Sequence, residues 1–182
     1  MSLVSLKSFE QYTGNFEDSR EAVELKQQYL DAAESIVIDY LGYNPVSSSY
    51  DEYLSGIGDY KLYLHAQPIT NVNFICVDNN PIDISTIATK DSYIYDICRN
   101  RVFTLGVENI HINYNAGFQC DNIPDVIKVS ILRIAALMLQ EQGGNIGLTG
   151  KSMGENSRTF INYTNYDKFL EPLNVLKIVR FN

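Results

Sequence analysis

The sequence predicts an α+β fold, mainly α, with a small antiparallel sheet or β-hairpin inserted between helices. Three observations carry this. Apolar residues recur at three- and four-residue steps over residues 20–41. The period changes to two in several short runs between residues 60 and 116. A strand ended by Gly117 is then followed by Pro124 and a long apolar stretch, which is how a chain leaves a sheet and starts a helix.

Ser5 can cap a short helix over Leu6–Tyr12, with Gly14 as its stop. Asp18 and Glu21 have the spacing of an acidic capping box, and a helix is predicted from about Arg20 to Leu41. Ala22, Leu25, Tyr29, Ala33, Ile36, Val37 and Tyr40 would form its apolar face. Gly42 supplies the left-handed stop, and Pro45 prevents resumption.

Residues 46–59 are rich in Ser, Tyr and Gly and read as a loop. Tyr60–His65 and Val72–Val77 read as strands, with Asp78-Asn79-Asn80-Pro81 as a turn. Tyr93–Ile97 and Arg101–Leu105 are predicted to form a hairpin through Cys98-Arg99-Asn100. In Asn109–Asn115, alternation puts Ile110, Ile112 and Tyr114 on one face and His111 and Asn113 on the other.

The helix predicted over Pro124–Gln142 is interrupted between Val126 and Leu139 only by Lys128, Ser130 and Arg133. A helix apolar nearly all round must be packed on several sides, by the sheet, the first long helix or a neighbouring subunit. Gly143-Gly144 ends it. A Gly- and Ser-rich loop over Asn145–Ser157 follows, then a strand or extended arm over Ser157–Tyr163. The last helix is predicted at about Tyr166–Val179, with Pro172 kinking or delaying it. No internal repeat or domain-scale linker is evident, so the 182 residues read as one domain.

Residues 1–60 hold Lys7, Arg20 and Lys26 against eleven acids, and so carry the whole net charge of −8. That balance argues against non-specific nucleic-acid binding, which needs a basic face. Two readings of the acids stay open: solvated helix faces, or an acidic surface that DNA slides past without sticking. Cys76, Cys98 and Cys120 lie far apart with no CxxC pair, so free thiols in a reducing compartment are expected rather than a zinc site. No signal peptide and no membrane span are expected, the longest apolar run being Ile134–Leu139.

Gly147-Leu148-Thr149-Gly150-Lys151-Ser152 suggests a phosphate loop, but Asn145 stands where the first Gly belongs, and a helix rather than a strand precedes it. His65 and His111 lack a second ligand at metal spacing. Asp121 and Asp125 suit the dipole of a helix start. Their sharper reading is a carboxylate pair for a small metal-dependent hydrolase or nuclease, with His111. No nucleophile-elbow Ser is present. The expectation is a non-catalytic protein with no cofactor and no bound metal.

The ordered pieces resemble a known family. They are Leu6-Lys7; the acidic turn Glu17-Asp18; Leu30-Asp31-Ala32-Ala33-Glu34-Ser35-Ile36 ending at Tyr40-Leu41-Gly42; Tyr114-Asn115-Ala116-Gly117-Phe118; and Ile123-Pro124-Asp125-Val126-Ile127-Lys128. An apolar helix and a closing Leu173–Arg180 segment complete the order. This resembles the head–tail connector (adaptor, or head-completion) proteins of long-tailed phages and prophages. The resemblance implies a single connector-type domain over residues 1–182, a small helical bundle with an inserted β-hairpin or sheet. Its parts would be N-terminal helices (1–45), a β-region (60–116), a central apolar helix (124–142) and a C-terminal arm or helix (143–182).

The resemblance also implies a structural role: a ring, commonly of twelve copies, beneath the portal, extending the DNA channel and docking a neck or tail-completion protein. Such a ring sits at the head–tail junction of the virion and is made in the host cytoplasm, with no membrane partner. A different neck or tail-completion protein is the alternative. Phe160, Tyr163, Phe169, Arg180 and Phe181 are the candidate interface residues, on an arm that orders on docking. The β-region here is larger than the family's.

Overall fold

The computed structural model describes residues 2–141, 150–153, 156–159 and 166–177. Two compact units contain them: a helical unit from Met1–Leu41 and Pro124–Lys177, and a β unit over Gly42–Ile123. Together they make an α+β fold of helices and small antiparallel sheets, as the sequence predicts.

In the helical unit, α1 spans Leu6–Thr13. Ser5 Oγ accepts from the Ser8 amide at 3.2 Å, and Gly14, at φ 68°, closes the helix by donating its N–H to the Glu10 carbonyl at 2.9 Å. α2 spans Arg20–Leu41 and stops at Gly42, φ 81°. Its cap is not Asp18. Ser19 Oγ accepts from the Ala22 amide at 3.3 Å. The displacement has a cause about two turns further on. The Lys26 ammonium draws in the carbonyls of Asn15 (3.1 Å) and Glu17 (2.6 Å), which fixes where the chain enters the helix.

The buried line of α2 is Lys26, Leu30, Ala33, Val37 and Leu41. It keeps the helical spacing, but of the expected face only Ala33 and Val37 lie on it; the others are half-buried. The line includes a lysine because that ammonium finds three acceptors, the third being Glu10 Oε1 at 2.8 Å. Glu34 Oε1, on the same helix, accepts from Ser2 Oγ and from the amides of Leu3 and Val4, which ties down the N-terminal segment.

α3 spans Asp125–Glu141, with the Pro124 carbonyl as its first acceptor. It packs on α1, α2, α4 (Asp167–Leu170) and a 3₁₀ turn over Glu171–Leu176. Ile127, Ile131, Ile134, Ala135 and Leu137 are buried, and Ser130 Oγ donates to the Phe169 carbonyl at 2.7 Å. Val129 is exposed, while Leu132, Met138 and Leu139 are half-buried. The helix is therefore buried over one broad face, and its surplus apolar side is left partly open.

The C-terminal helix differs from expectation. Pro172 has no N–H for an i→i−4 bond, so the chain tightens into the 3₁₀ turn after one α turn. Leu170 and Leu173 are buried, and Tyr40 Oη donates to Asn174 Oδ1 at 2.5 Å. Part of the expected Asn145–Ser157 loop is a two-stranded hairpin.

In chain order the strands are β1 (Ser48–Leu54), β2 (Lys61–Tyr63), β3 (Ile69–Val77), β4 (Asn80–Pro81), β5 (Ile87–Thr89), β6 (Tyr93–Asp96), β7 (Ile110–Ala116), β8 (Gly150–Met153) and β9 (Asn156–Thr159). The last two pair in that hairpin of the helical unit. The β unit has an antiparallel sheet of order β1-β7-β3-β4 and a second of order β2-β6-β5. Ile110, Ile112 and Tyr114 of β7 point into the core as expected, joined by Val72, Ile75 and Val77 of β3 and Leu54 of β1. Gly117, at φ 106°, lies where a Cβ would fall 2.6 Å from the Val46 carbonyl oxygen, so only glycine lets the chain leave β7 there.

Two β-region expectations are corrected. Residues 48–54, expected as loop, form β1 and pair with β7 along their whole length. A glutamate at an inward position masks the alternation. Glu52 sits between Tyr50 and Leu54, and its carboxylate accepts from Tyr114 Oη at 3.2 Å, with His65 Nδ1 at 3.1 Å. Arg101–Leu105 is not the second strand of a hairpin. Asp96 Oδ2 accepts from the Asn100 amide at 2.8 Å and Arg99 takes φ 58°, which turns the chain away from β6. Within it, Phe103 makes an isolated bridge to Asp59.

Candidate interaction surfaces

The β unit carries a tip built from two segments far apart in sequence. Residues 55–58 and 103–109 run side by side. Gly58 donates to the Phe103 carbonyl (2.9 Å), Gly106 to the Gly56 carbonyl (3.1 Å) and the Glu108 amide to Ser55 Oγ (3.0 Å). Asn109 holds the base: its Oδ1 accepts from the Gly56 amide at 3.0 Å, and its Nδ2 donates to the Thr104 carbonyl and to Asp78 Oδ1, both at 3.2 Å. Thr104 Oγ1 donates to the other Asp78 oxygen at 2.6 Å. The glycines are required by contact. A Cβ on Gly56 would lie 1.9 Å from the Thr104 carbonyl oxygen, and one on Gly106 2.5 Å from the Asn109 side chain.

This rigid scaffold presents Leu105, 82% exposed, Val107, 87% exposed, and Ile57, 62% exposed. Single exposed aliphatics are ordinary, but three on one hydrogen-bonded tip make it a candidate contact surface.

The outer face of the four-stranded sheet is a second surface. The Tyr53 and His111 rings stack with centroids 4.3 Å apart, and Phe74 meets His111 edge-on at 5.4 Å. His111 Nε2 lies 2.6 Å from Asp51 Oδ1. Asn113 Nδ2 donates to Asp51 Oδ2 at 3.4 Å, Asn73 to Asn113 at 2.8 Å and Asn71 to Asn73 at 2.7 Å. The His111 hydrogen bond, with help from Asn113, holds the Asp51 carboxyl below the usual range; desolvation opposes this. Every group in this run has a neighbour, which suits a rigid polar-aromatic contact face. The second sheet shows a Tyr63–Tyr93–Tyr95 cluster, with the Lys61 ammonium 5.2 Å from the Tyr93 ring centroid and 5.3 Å from that of Tyr60.

On the helical unit, a cleft of about 280 Å³ is lined by Tyr12, Thr13, Asn15, Ala136, Leu139 and Gln140. Part of the surplus apolar side of α3 opens here.

Of the residues expected at an interface, Phe160, Tyr163, Arg180 and Phe181 lie outside the described residues; Phe169 is half-buried on α4. The chemical candidates stay dispersed. Asp121 and Asp125 are exposed, with Asp125 3.7 Å from Lys128 Nζ. His65 faces Glu52, and His111 belongs to the stacked face. Among the described residues no three His, Cys, Asp or Glu side chains converge as a metal site. Lys151 and Ser152 lie in β8, not at a helix start as a phosphate loop needs. Among the described residues, no helix is long and apolar enough to cross a membrane. The loop tip had no signal in sequence beyond isolated glycines, because its two halves meet only in the fold.

The chain is thus an α+β protein of two compact units whose best-formed surface features are rigid, exposed aromatic and aliphatic patches. No protein-family model and no curated protein matches it. Solved structures do. A chain from the C6-symmetric neck of an empty gene transfer agent (GTA) particle is similar over 99% of this chain and 92% of its own, with 13% identity and a TM-score of 0.62. A chain from the C12-symmetric neck of the native GTA particle is similar over 97% and 90%, with 14% identity and a TM-score of 0.59. A chain of the native GTA virion is similar over 99% and 92%, with 12% identity and a TM-score of 0.61. At these identities the likeness is one of fold.

Proposed function

We propose that this chain is a non-catalytic structural subunit of the neck of a phage-like particle: a head–tail connector that forms a ring below the portal. The observation that carries this is the two-way coverage. A chain from a particle neck is matched over 99% of this chain and 92% of its own length, helical and β parts together. The symmetric necks, C6 and C12, support assembly of this chain with copies of itself into a ring.

In this reading residues 1–182 act as one connector-type domain, in the virion at the head–tail junction, after synthesis in the host cytoplasm. The portal binds on one side and a neck or tail-completion protein on the other. Phe160, Tyr163, Phe169, Arg180 and Phe181 belong to the docking arm. DNA passes through the ring without sequence-specific contact, and the acids of residues 1–60 suit a wall that repels it.

The experiment is co-expression with the portal protein encoded nearby and, separately, with each nearby neck or tail-completion protein. Retention by the portal supports the connector position. Retention only by a tail-side protein moves the chain to another neck ring. Retention by none, with no self-assembly at high concentration, rejects the reading.

A further inference from the structure

The tip and the cleft are the two halves a ring contact needs. A closed ring is heterologous: each copy meets its neighbour through two different patches, one on either side. The β unit offers a protruding patch, Ile57, Leu105 and Val107. The helical unit offers a recess, bordered by Tyr12, Ala136 and Leu139. We propose that the tip of one copy enters the α1–α3 cleft of the next copy, and that this is the ring's subunit contact. The proposal rests on the ring reading above.

Three features support a second copy as occupant. The first is charge. The chain carries a net −8, so copies repel one another, and a contact between them is best made where charge is sparse. The cleft lining contains no charged residue, and of the tip's exposed side chains only Glu108 is charged, those at 57, 105 and 107 being aliphatic. The second is order. The bonds from Asn109, Asp78 and Gly106 fix the tip before it meets anything, so little conformational freedom is lost on docking. The third is the unfinished burial of α3. Leu139 is half-buried and Tyr12 is 48% exposed, so the recess still has apolar surface to cover.

The test uses the full chain with Cys76, Cys98 and Cys120 replaced by Ser. Differently tagged Leu105→Cys and Ala136→Cys chains are mixed and oxidised mildly. A mixed disulfide in at least about tenfold excess over the pair Leu105→Cys with Gln28→Cys, a control on exposed α2 surface, supports the contact. No excess overturns it. A second variant, Leu105→Asp with Val107→Asp, alters only exposed side chains and should leave the melting temperature unchanged. It should raise the concentration needed for ring assembly, alone or on the portal, by at least about tenfold. Rings that form equally well from this variant, with no tip–cleft disulfide, overturn the proposed contact and leave the ring reading standing. Failure of the unmodified chain to assemble under any of these conditions overturns the ring reading itself. A tip–cleft disulfide formed even then supports the pairwise contact.

Discussion

The Lys26 ammonium lies 2.8 Å from the Glu10 carboxylate, with only 2% of the lysine side chain exposed. It also accounts for the carbonyls of Asn15 and Glu17, so one side chain joins α1, the turn after it and α2. Removing it strands a carboxylate and two carbonyls at once. Lys26→Met should cost about 3 kcal/mol in urea unfolding. Glu10→Gln, which keeps an acceptor for the ammonium, should cost about 1 kcal/mol. Equal costs for the two would mean that the carbonyl contacts contribute nothing.

Gly56 and Gly14 should differ for a physical reason. Gly14 has a left-handed φ but open space around it, so Gly14→Ala should cost about 1 kcal/mol. Gly56→Ala would drive a methyl into the Thr104 carbonyl, against backbone that Asn109 holds in place, and should cost about 2–3 kcal/mol. Thermal or urea denaturation of both variants decides the order.

Acid should weaken the outer sheet face. The Asp51 pKa is lowered in the fold, so its stabilising contribution is present above the ordinary carboxylate range and is lost as pH falls through its lowered value. The stability gap between the natural chain and Asp51→Asn should therefore close as pH falls below about 4. Carbon-detected NMR should find Asp51 titrating below about 3.9, and His111→Ala should return it towards that value.

Alkali acts on the inner face. Burial, first of all, raises the Tyr43, Tyr50 and Tyr114 phenols; Glu52 adds to the shift of Tyr50 and, by charge and hydrogen bond, of Tyr114. These three disfavour ionisation in the fold, so stability is full below the ordinary phenol value and falls as pH rises past about 10. In ultraviolet titration they should ionise after the exposed tyrosines. Glu52→Gln should bring Tyr50 and Tyr114 down and leave Tyr43 where it is.

The helices were legible where their signals are local. Ser5 and Gly14 bracket α1, Gly42 ends α2, and Gly117 and Pro124 mark the passage from β7 to α3. What was not legible depends on partners distant in sequence. Lys26 looks like a surface residue until the Asn15 and Glu17 carbonyls are folded over it. β1 reads as a polar loop because Glu52 points inward, and partners distant in sequence, Tyr114 and His65, make that position tolerable. The tip is the extreme case. Asn109 must reach back to Gly56 before Leu105 and Ile57 share a surface. Local spacing could not disclose that.

The central claim is that the chain builds a ring in a particle neck. Its most direct test is electron microscopy of the full chain purified together with the portal encoded beside it. The account predicts a closed ring of this chain on the portal, with rotational symmetry of the C6 or C12 kind recorded for the similar necks. Portal particles with no added ring, beside a chain that stays monomeric at high concentration, would contradict it.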